Sequence, residues 1–143
     1  DCNIFRMDDF FLRPELKTID RLKEIGGNVD YVRFKEEVLY NLIKDTEFNY
    51  QVYNCKIQAL DNYVFVKPKK LNIIEGSYSM HPTLIDFYDY KIFLSADEET
   101  QVNRILKRNG EFILNRFIDE WIPKENEYFN EFNVREMADI VID

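Results

Sequence analysis

Lys69-Lys70-Leu71-Asn72-Ile73-Ile74-Glu75-Gly76 is the stretch on which the fold turns. Two lysines close a polar turn, and Leu71, Ile73 and Ile74 follow with only Asn72 between them. A short apolar run bounded by turn signals reads as a buried strand. Glu75 and Gly76 end it, so a carboxylate emerges at the strand's carboxyl end. In open α/β sheets ligands bind outside that end. Glu75 is therefore a candidate for chemistry. The simpler reading is a solvated acid at a strand terminus.

Composition sets the outer bounds. A chain of 143 residues predicts one domain with a real core. Apolar residues make up 45%, which argues against disorder. No apolar run approaches membrane-spanning length and no secretory signal is visible, so no membrane association is expected. The net charge of −8 argues against a nucleic-acid partner. Cys2 and Cys55 show no metal or redox spacing, and two thiols fit a reducing cytoplasm. With one histidine, neither a histidine-based triad nor a multi-histidine metal site is expected. His81 reads as a packing or hydrogen-bonding residue.

Upstream, residues 3–7 alternate loosely as a strand and lead at once into Asp8-Asp9-Phe10-Phe11. Adjacent residues of an extended chain point opposite ways, so one of the two acids is expected in a shared site. The alternative is an acidic loop with its aromatics in the core. Residues 12–17 read as a loop punctuated by Pro14, and residues 18–25 as a short helix ended by Gly26-Gly27. Asp30 stands where the N-cap of a helix over 31–44 would sit. Residues 48–52 alternate, 53–58 continue them, and 63–66 alternate weakly before Pro68. Together they predict a small hairpin or flap. Lys67-Pro68-Lys69-Lys70 reads as a solvated turn.

Downstream, residues 90–94 predict another short strand. Ser95-Ala96-Asp97-Glu98 has capping-box spacing, and the helix it opens should run to about Asn109 and stop at Gly110. Val102, Ile105 and Leu106 give it an apolar face. Arg104, Lys107 and Arg108 neighbour one another at offsets of three and four. They read either as an anion site or as a solvated face pairing with nearby acids. Residues 111–122 predict a second helix with Ile113, Leu114, Phe117, Ile118 and Trp121 toward the core. Pro123 is expected to interrupt it, 124–132 to resume it, and 138–142 to form a last strand. Alternating strands and helices predict a mostly parallel sheet covered by helices.

Asp8-Asp9-Phe10-Phe11, Gly27-Asn28-Val29-Asp30, Tyr53-Asn54-Cys55, Glu75-Gly76, Arg104 with Arg108, and Ala138-Asp139-Ile140-Val141-Ile142 occur in one order. That ordered set resembles the uridine kinases and related P-loop small-molecule kinases, including nicotinamide riboside kinases, over nearly the whole chain. The resemblance implies an α/β kinase-like domain over 1–143 with a lid-type helical region at 97–122. It implies ATP-dependent phosphoryl transfer to a nucleoside or related ribosyl hydroxyl, with ATP and Mg2+ as cofactors. Asp8 matches the base that takes the acceptor proton and lies near the metal. Glu75 matches the strand-end acid at the metal. Phe11 matches an aromatic beside the acceptor, Asp30 the acid on the ribose hydroxyls, and Tyr53 an aromatic of the base pocket. Arg104 and Arg108 match lid cations near the transferring phosphate. Such chemistry needs positioning, charge neutralisation and one oriented hydroxyl.

Three departures accompany the resemblance. No Gly-x-x-x-x-Gly-Lys-Ser/Thr occurs in the sequence, and the family pattern places that loop before residue 1. The first βα unit is thus expected to be absent from the sequence given. Such a chain is expected to bind ATP poorly, to be inactive alone, and to form a homo-oligomer or be marginally stable. Gln58 stands where pyrimidine-specific members carry a base-reading histidine. Asn109-Gly110-Glu111 follows Arg108 directly and implies a shorter lid. The alternative function is a non-catalytic ligand-binding or interaction domain that keeps the acceptor pocket.

Overall fold

The computed structural model describes residues 1–143. Strand β1 (Cys2–Arg6) enters a tight 3-10 turn over Met7–Phe10, and a second such turn covers Pro14–Leu16. Helix α1 (Ile19–Lys23) is capped by Thr18, whose side chain accepts from Arg21 N. Helix α2 (Tyr31–Phe34) passes through a π turn (Lys35–Leu39) into α3 (Tyr40–Ile43). Strands β2 (Phe48–Asn54) and β3 (Ala59–Val66) form the expected hairpin, and β4 (Leu71–Glu75) follows. Then come β5 (Ile92–Leu94), α4 (Glu98–Asn109) and α5 (Glu111–Arg116). A π turn over Phe117–Trp121 leads to α6 (Ile122–Glu131) and β6 (Ile140–Ile142).

The α/β class and the parallel pairing are as expected. β1 runs parallel to β4, from Cys2↔Leu71 to Arg6↔Glu75, and β5 runs parallel to β6. The parallel strands form two separate two-stranded sheets, and the antiparallel hairpin is a third. The chain divides into two compact units, Asp1–Phe87 and Tyr88–Asp143. Each has its own buried cluster. In the first, Phe10 meets Phe34 edge-on at 4.9 Å and stacks on Tyr50 at 5.4 Å. Phe5, Met7 and Val38 are buried in the same unit. In the second, Ile105, Leu114, Tyr128 and Val134 are buried, and Phe93 meets Phe129 edge-on at 5.2 Å. Each fully buried apolar side chain contributes about 1.5–3 kcal/mol.

Several local expectations shift, each for a physical reason. β4 is covered on one face only. Leu71 and Ile73 stay 55% and 41% exposed. They share that open face with Glu75, because alternate residues point the same way. On the opposite face Asn72 accepts at Oδ1 from its register partner Asn3 at 2.9 Å, which satisfies the polar residue that interrupts the run. β2 ends at Asn54 rather than continuing to Gln58. Asn54 Oδ1 accepts from Lys56 N at 2.9 Å and starts the turn, and Gln58 closes it with φ of 53°.

The N-cap of α4 is Asp97, not Ser95. The Asp97 carboxylate accepts from Thr100 N and Thr100 Oγ1, both at 2.8 Å, whereas the Ser95 hydroxyl bonds to Asp143. The interruption expected at Pro123 does not occur, and the helical run continues to Glu131. Pro123 falls in the first turn of α6, where a missing N–H is tolerated. The π turn just before it carries one extra residue and rotates the apolar stripe. Leu114, in α5 ahead of that turn, is buried and Ile118, within it, is exposed.

Candidate functional site

The turn after β1 separates the two adjacent acids. Asp8 is exposed. Asp9 turns inward, and its Oδ2 accepts from the Tyr50 hydroxyl at 3.3 Å. Burial pushes the Asp9 carboxyl above its usual range, against the pull of that bond and of Arg6. Burial and then the Asp9 charge push the Tyr50 hydroxyl up to about 12. Glu75 closes β4 beside this turn, exposed, with Arg6 Nε 3.8 Å from its Oε1. Gly76 leaves the strand at φ 132°, and a Cβ there would lie 2.9 Å from the Met7 Cβ. Glycine is what lets β4 exit against the turn that carries Asp8.

A second clamp places Asp30. Residues 10–12 lie antiparallel to 28–30. Asp30 N donates to Phe10 O at 2.7 Å and Leu12 N to Asn28 O at 2.9 Å, with Phe11 bridged to Val29. Arg21 fixes the approach, donating from Nε to Gly27 O and from Nη2 to Val29 O. Asp30 then caps α2 as expected, with Oδ1 accepting from Arg33 N at 3.1 Å. Its Oδ2 is buried and has no hydrogen bond. Arg33 Nε stands 3.8 Å from it and Arg13 Nη2 3.9 Å, both beyond hydrogen-bond length. Asp30 lines a cleft of about 560 Å3, together with Arg13, Leu16, Val32, Glu36 and Leu60. A buried acceptor with no donor is costly and calls for an explanation.

Arg33 escaped the sequence reading. It is buried, with its guanidinium 4.1 Å from the centre of the Phe10 ring. It donates from Nη2 to Asp9 O at 2.7 Å, and from Nη1 to Gln51 O at 2.6 Å and Glu37 Oε2 at 3.1 Å. Burial pulls its pKa down, while Glu37 and Asp30 hold it up. One side chain thus ties together the Asp8–Asp9 turn, strand β2 and the helix that Asp30 caps. Its one sequence signal was the i, i+4 spacing of Arg33 and Glu37.

The remaining candidates are distributed. Phe11 is half-buried in the clamp. Tyr53 is buried on β2, its hydroxyl pushed up by burial and then by Cys55 and Glu15. Gln58 is exposed at the hairpin tip. Neither of these two lines the cleft. Cys55 is an exposed free thiol. Partial desolvation by its surroundings pushes that thiol up, the Asp8 charge adds to the effect and Lys17 opposes it. Arg104 and Arg108 are exposed on α4 of the second unit. His81 packs as expected, stacked on Tyr31 at 4.3 Å with Nδ1 3.0 Å from Thr83 Oγ1.

Asp8 and Glu75 fit Mg2+ by donor chemistry. Both are exposed carboxylates at the carboxyl end of one parallel pair, and this ion usually takes one or two carboxylates plus waters and phosphates. No group of three or more metal-ligating side chains forms an all-protein cage. No helix is long and apolar enough to cross a membrane.

No protein-family model matches the chain, and no curated protein matches it by sequence. Solved structures do match. One is a possible uridine kinase from Bacillus stearothermophilus, with a TM-score of 0.71 at 15% identity. The match covers 99% of this chain and 72% of that one. The chain has the fold of a P-loop kinase. A second P-loop-kinase neighbour, named as a candidate fructose transport system kinase from Silicibacter sp. TM1040, has a TM-score of 0.67 at 18% identity. It is matched over 75% of its length by 99% of this chain. Asp8, in the turn that follows β1, and Glu75, the last residue of β4, lie at the carboxyl end of one parallel pair.

Proposed function

We propose that the chain serves ATP-dependent phosphoryl transfer to a hydroxyl of a nucleoside or similar ribosyl compound. The observation that carries this reading is Asp30 Oδ2, a buried acceptor without a hydrogen bond beside a cleft of about 560 Å3. A sugar hydroxyl supplies the missing donor. Asp8 takes the proton of the attacking hydroxyl from its exposed place beyond β1. Phe11 flanks the acceptor; Tyr53 and Gln58, which lie outside the cleft, are the residues that the resemblance assigns to the base. Arg104 and Arg108 neutralise phosphate charge. Asp8 and Glu75 are the residues that would hold Mg2+, which would supply charge neutralisation on the phosphates.

Transfer of the ATP γ-phosphate to a panel of nucleosides and sugars tests this in the full-length protein. Asp8→Asn is expected to keep acceptor affinity and to lose turnover by roughly 10²–10⁴-fold. Near wild-type turnover would remove Asp8 from the mechanism. A second reading is a non-catalytic ligand-binding or interaction domain. It is favoured by one observation: the buried, unbonded Asp30 Oδ2 asks for a ligand hydroxyl and does not by itself require transfer. Calorimetric acceptor binding without any transfer would select it.

A further inference from the structure

Three buried polar atoms lack hydrogen bonds within one group of neighbours: Arg13 Nε, Asp30 Oδ2 and Arg33 Nε. All three residues line the same cleft. We propose that Arg13 is the specificity-determining partner of Asp30, and that the two together bind a vicinal diol of the acceptor. This rests on the acceptor reading of Asp30 given above and adds a residue to it.

The sense of the atoms selects the ligand. Asp30 Oδ2 can only accept, and a guanidinium can only donate. A hydroxyl does both at once. The gap fits it: Arg13 Nη2 stands 3.9 Å from Asp30 Oδ2. That is too long for a direct bond, and wide enough for an oxygen seated beside it at about 2.8 Å from each. With Nε also unused, Arg13 has a second donor for the neighbouring hydroxyl. An anionic ligand does not suit the place, because Asp30 would repel it. A neutral diol meets one carboxylate and one guanidinium without a net charge to bury.

Arg33 cannot take this part. Its two Nη groups are committed to Asp9 O, Gln51 O and Glu37, and its side chain is 7% exposed. Arg13 has only Glu15 at 3.5 Å besides Asp30, and its side chain is 31% exposed. A ligand can reach it. Its backbone is set in advance: Arg13 is extended at φ −66°, ψ 148°, the region that the following Pro14 imposes. Leu16, Val32 and Leu60 line the cleft as well and offer an apolar wall to the C–H face of a sugar.

A site built around a hydroxyl rejects the analogue that lacks it, because both partners are then left unpaired. The test is calorimetry without ATP, using uridine, adenosine, ribose and fructose, with the 2′-deoxy and 3′-deoxy forms of the tightest riboside. Wild type is expected to prefer the hydroxylated ligand. Arg13→Gln is expected to lose at least ~10-fold of that preference, with the deoxy ligands scarcely affected and thermal stability kept. Arg13→Lys is expected to restore part of it. Asp30→Asn is the control. If Asp30→Asn abolishes the preference and Arg13→Gln leaves the wild-type ratio, the role of Arg13 falls while the acceptor reading stands. If none of the four probes binds, both fall.

Discussion

Arg33 holds three segments through hydrogen bonds while its charge is buried, so its removal strands partners as well as deleting contacts. Arg33→Met leaves Glu37 without its cation, and Asp9 O and Gln51 O without donors. Breaking a buried pair this way costs about 3–5 kcal/mol. Urea unfolding should show that loss, and a change under ~1 kcal/mol would mean the network is not as tight as described. His81 gives a pH signature. Burial pulls it from 6.5 to about 4, against Glu24 and alongside Arg21 and Lys35. The unfolded chain therefore binds a proton that the folded one refuses. This contribution to stability is full above about 6.5 and falls by up to about 3 kcal/mol as pH drops toward 4. Asp9, raised by burial, has the opposite sign at lower pH. The comparison is therefore with His81→Gln, whose unfolding midpoint should vary less across that window. The cap role of Asp30 was legible, since an acid directly before a helical pattern has few other places to go. Arg33 was not, because an arginine three residues into a helix looks solvated. Its inward partners are backbone carbonyls of distant segments, which side-chain spacing does not encode.

At the scale of elements, strand existence was readable and strand exposure was not. The run from Leu71 to Ile74 looks buried because three of its four residues are apolar. Only the register with β1 shows which of them share the open face. The π turns were equally hidden: one extra residue shifts a helical stripe without disturbing composition. Two substitutions test these elements. Gly76→Ala places a Cβ 2.9 Å from the Met7 Cβ at a φ of 132°, and should destabilise by about 1–3 kcal/mol. A neutral result would mean the exit from β4 relaxes freely. Gln58 occupies a left-handed φ of 53° at the hairpin tip, so Gln58→Gly should gain up to about 1 kcal/mol. Thermal unfolding reads that gain, and calorimetry on the same variant shows whether the Gln58 side chain contributes to acceptor binding.

The whole molecule presents an open apolar face on the β1–β4 pair. Ile4 is 58% exposed and lies in register with Ile73, next to Leu71. Two-stranded sheets with one bare face are poor at standing alone, and exposed strands invite pairing with another chain. Light scattering is expected to give a mass above the 17.3 kDa of one chain. Ile73→Lys should return it toward that value, and a wild-type monomer at all concentrations would remove this face as an interface.

Cys55 turns the neighbourhood of Asp8 into something that can be clocked. The thiol is exposed, and after partial desolvation the negative charge of Asp8 is the largest influence holding it protonated. Only the thiolate reacts with an alkylating reagent. Anything that cancels the Asp8 charge should therefore quicken the labelling of Cys55, with no nucleotide present and no turnover required. Asp8→Asn calibrates the effect. A titration with Mg2+ that moves the labelling rate in the same direction reports the ion arriving at Asp8, and the same titration on Asp8→Asn should leave the rate flat.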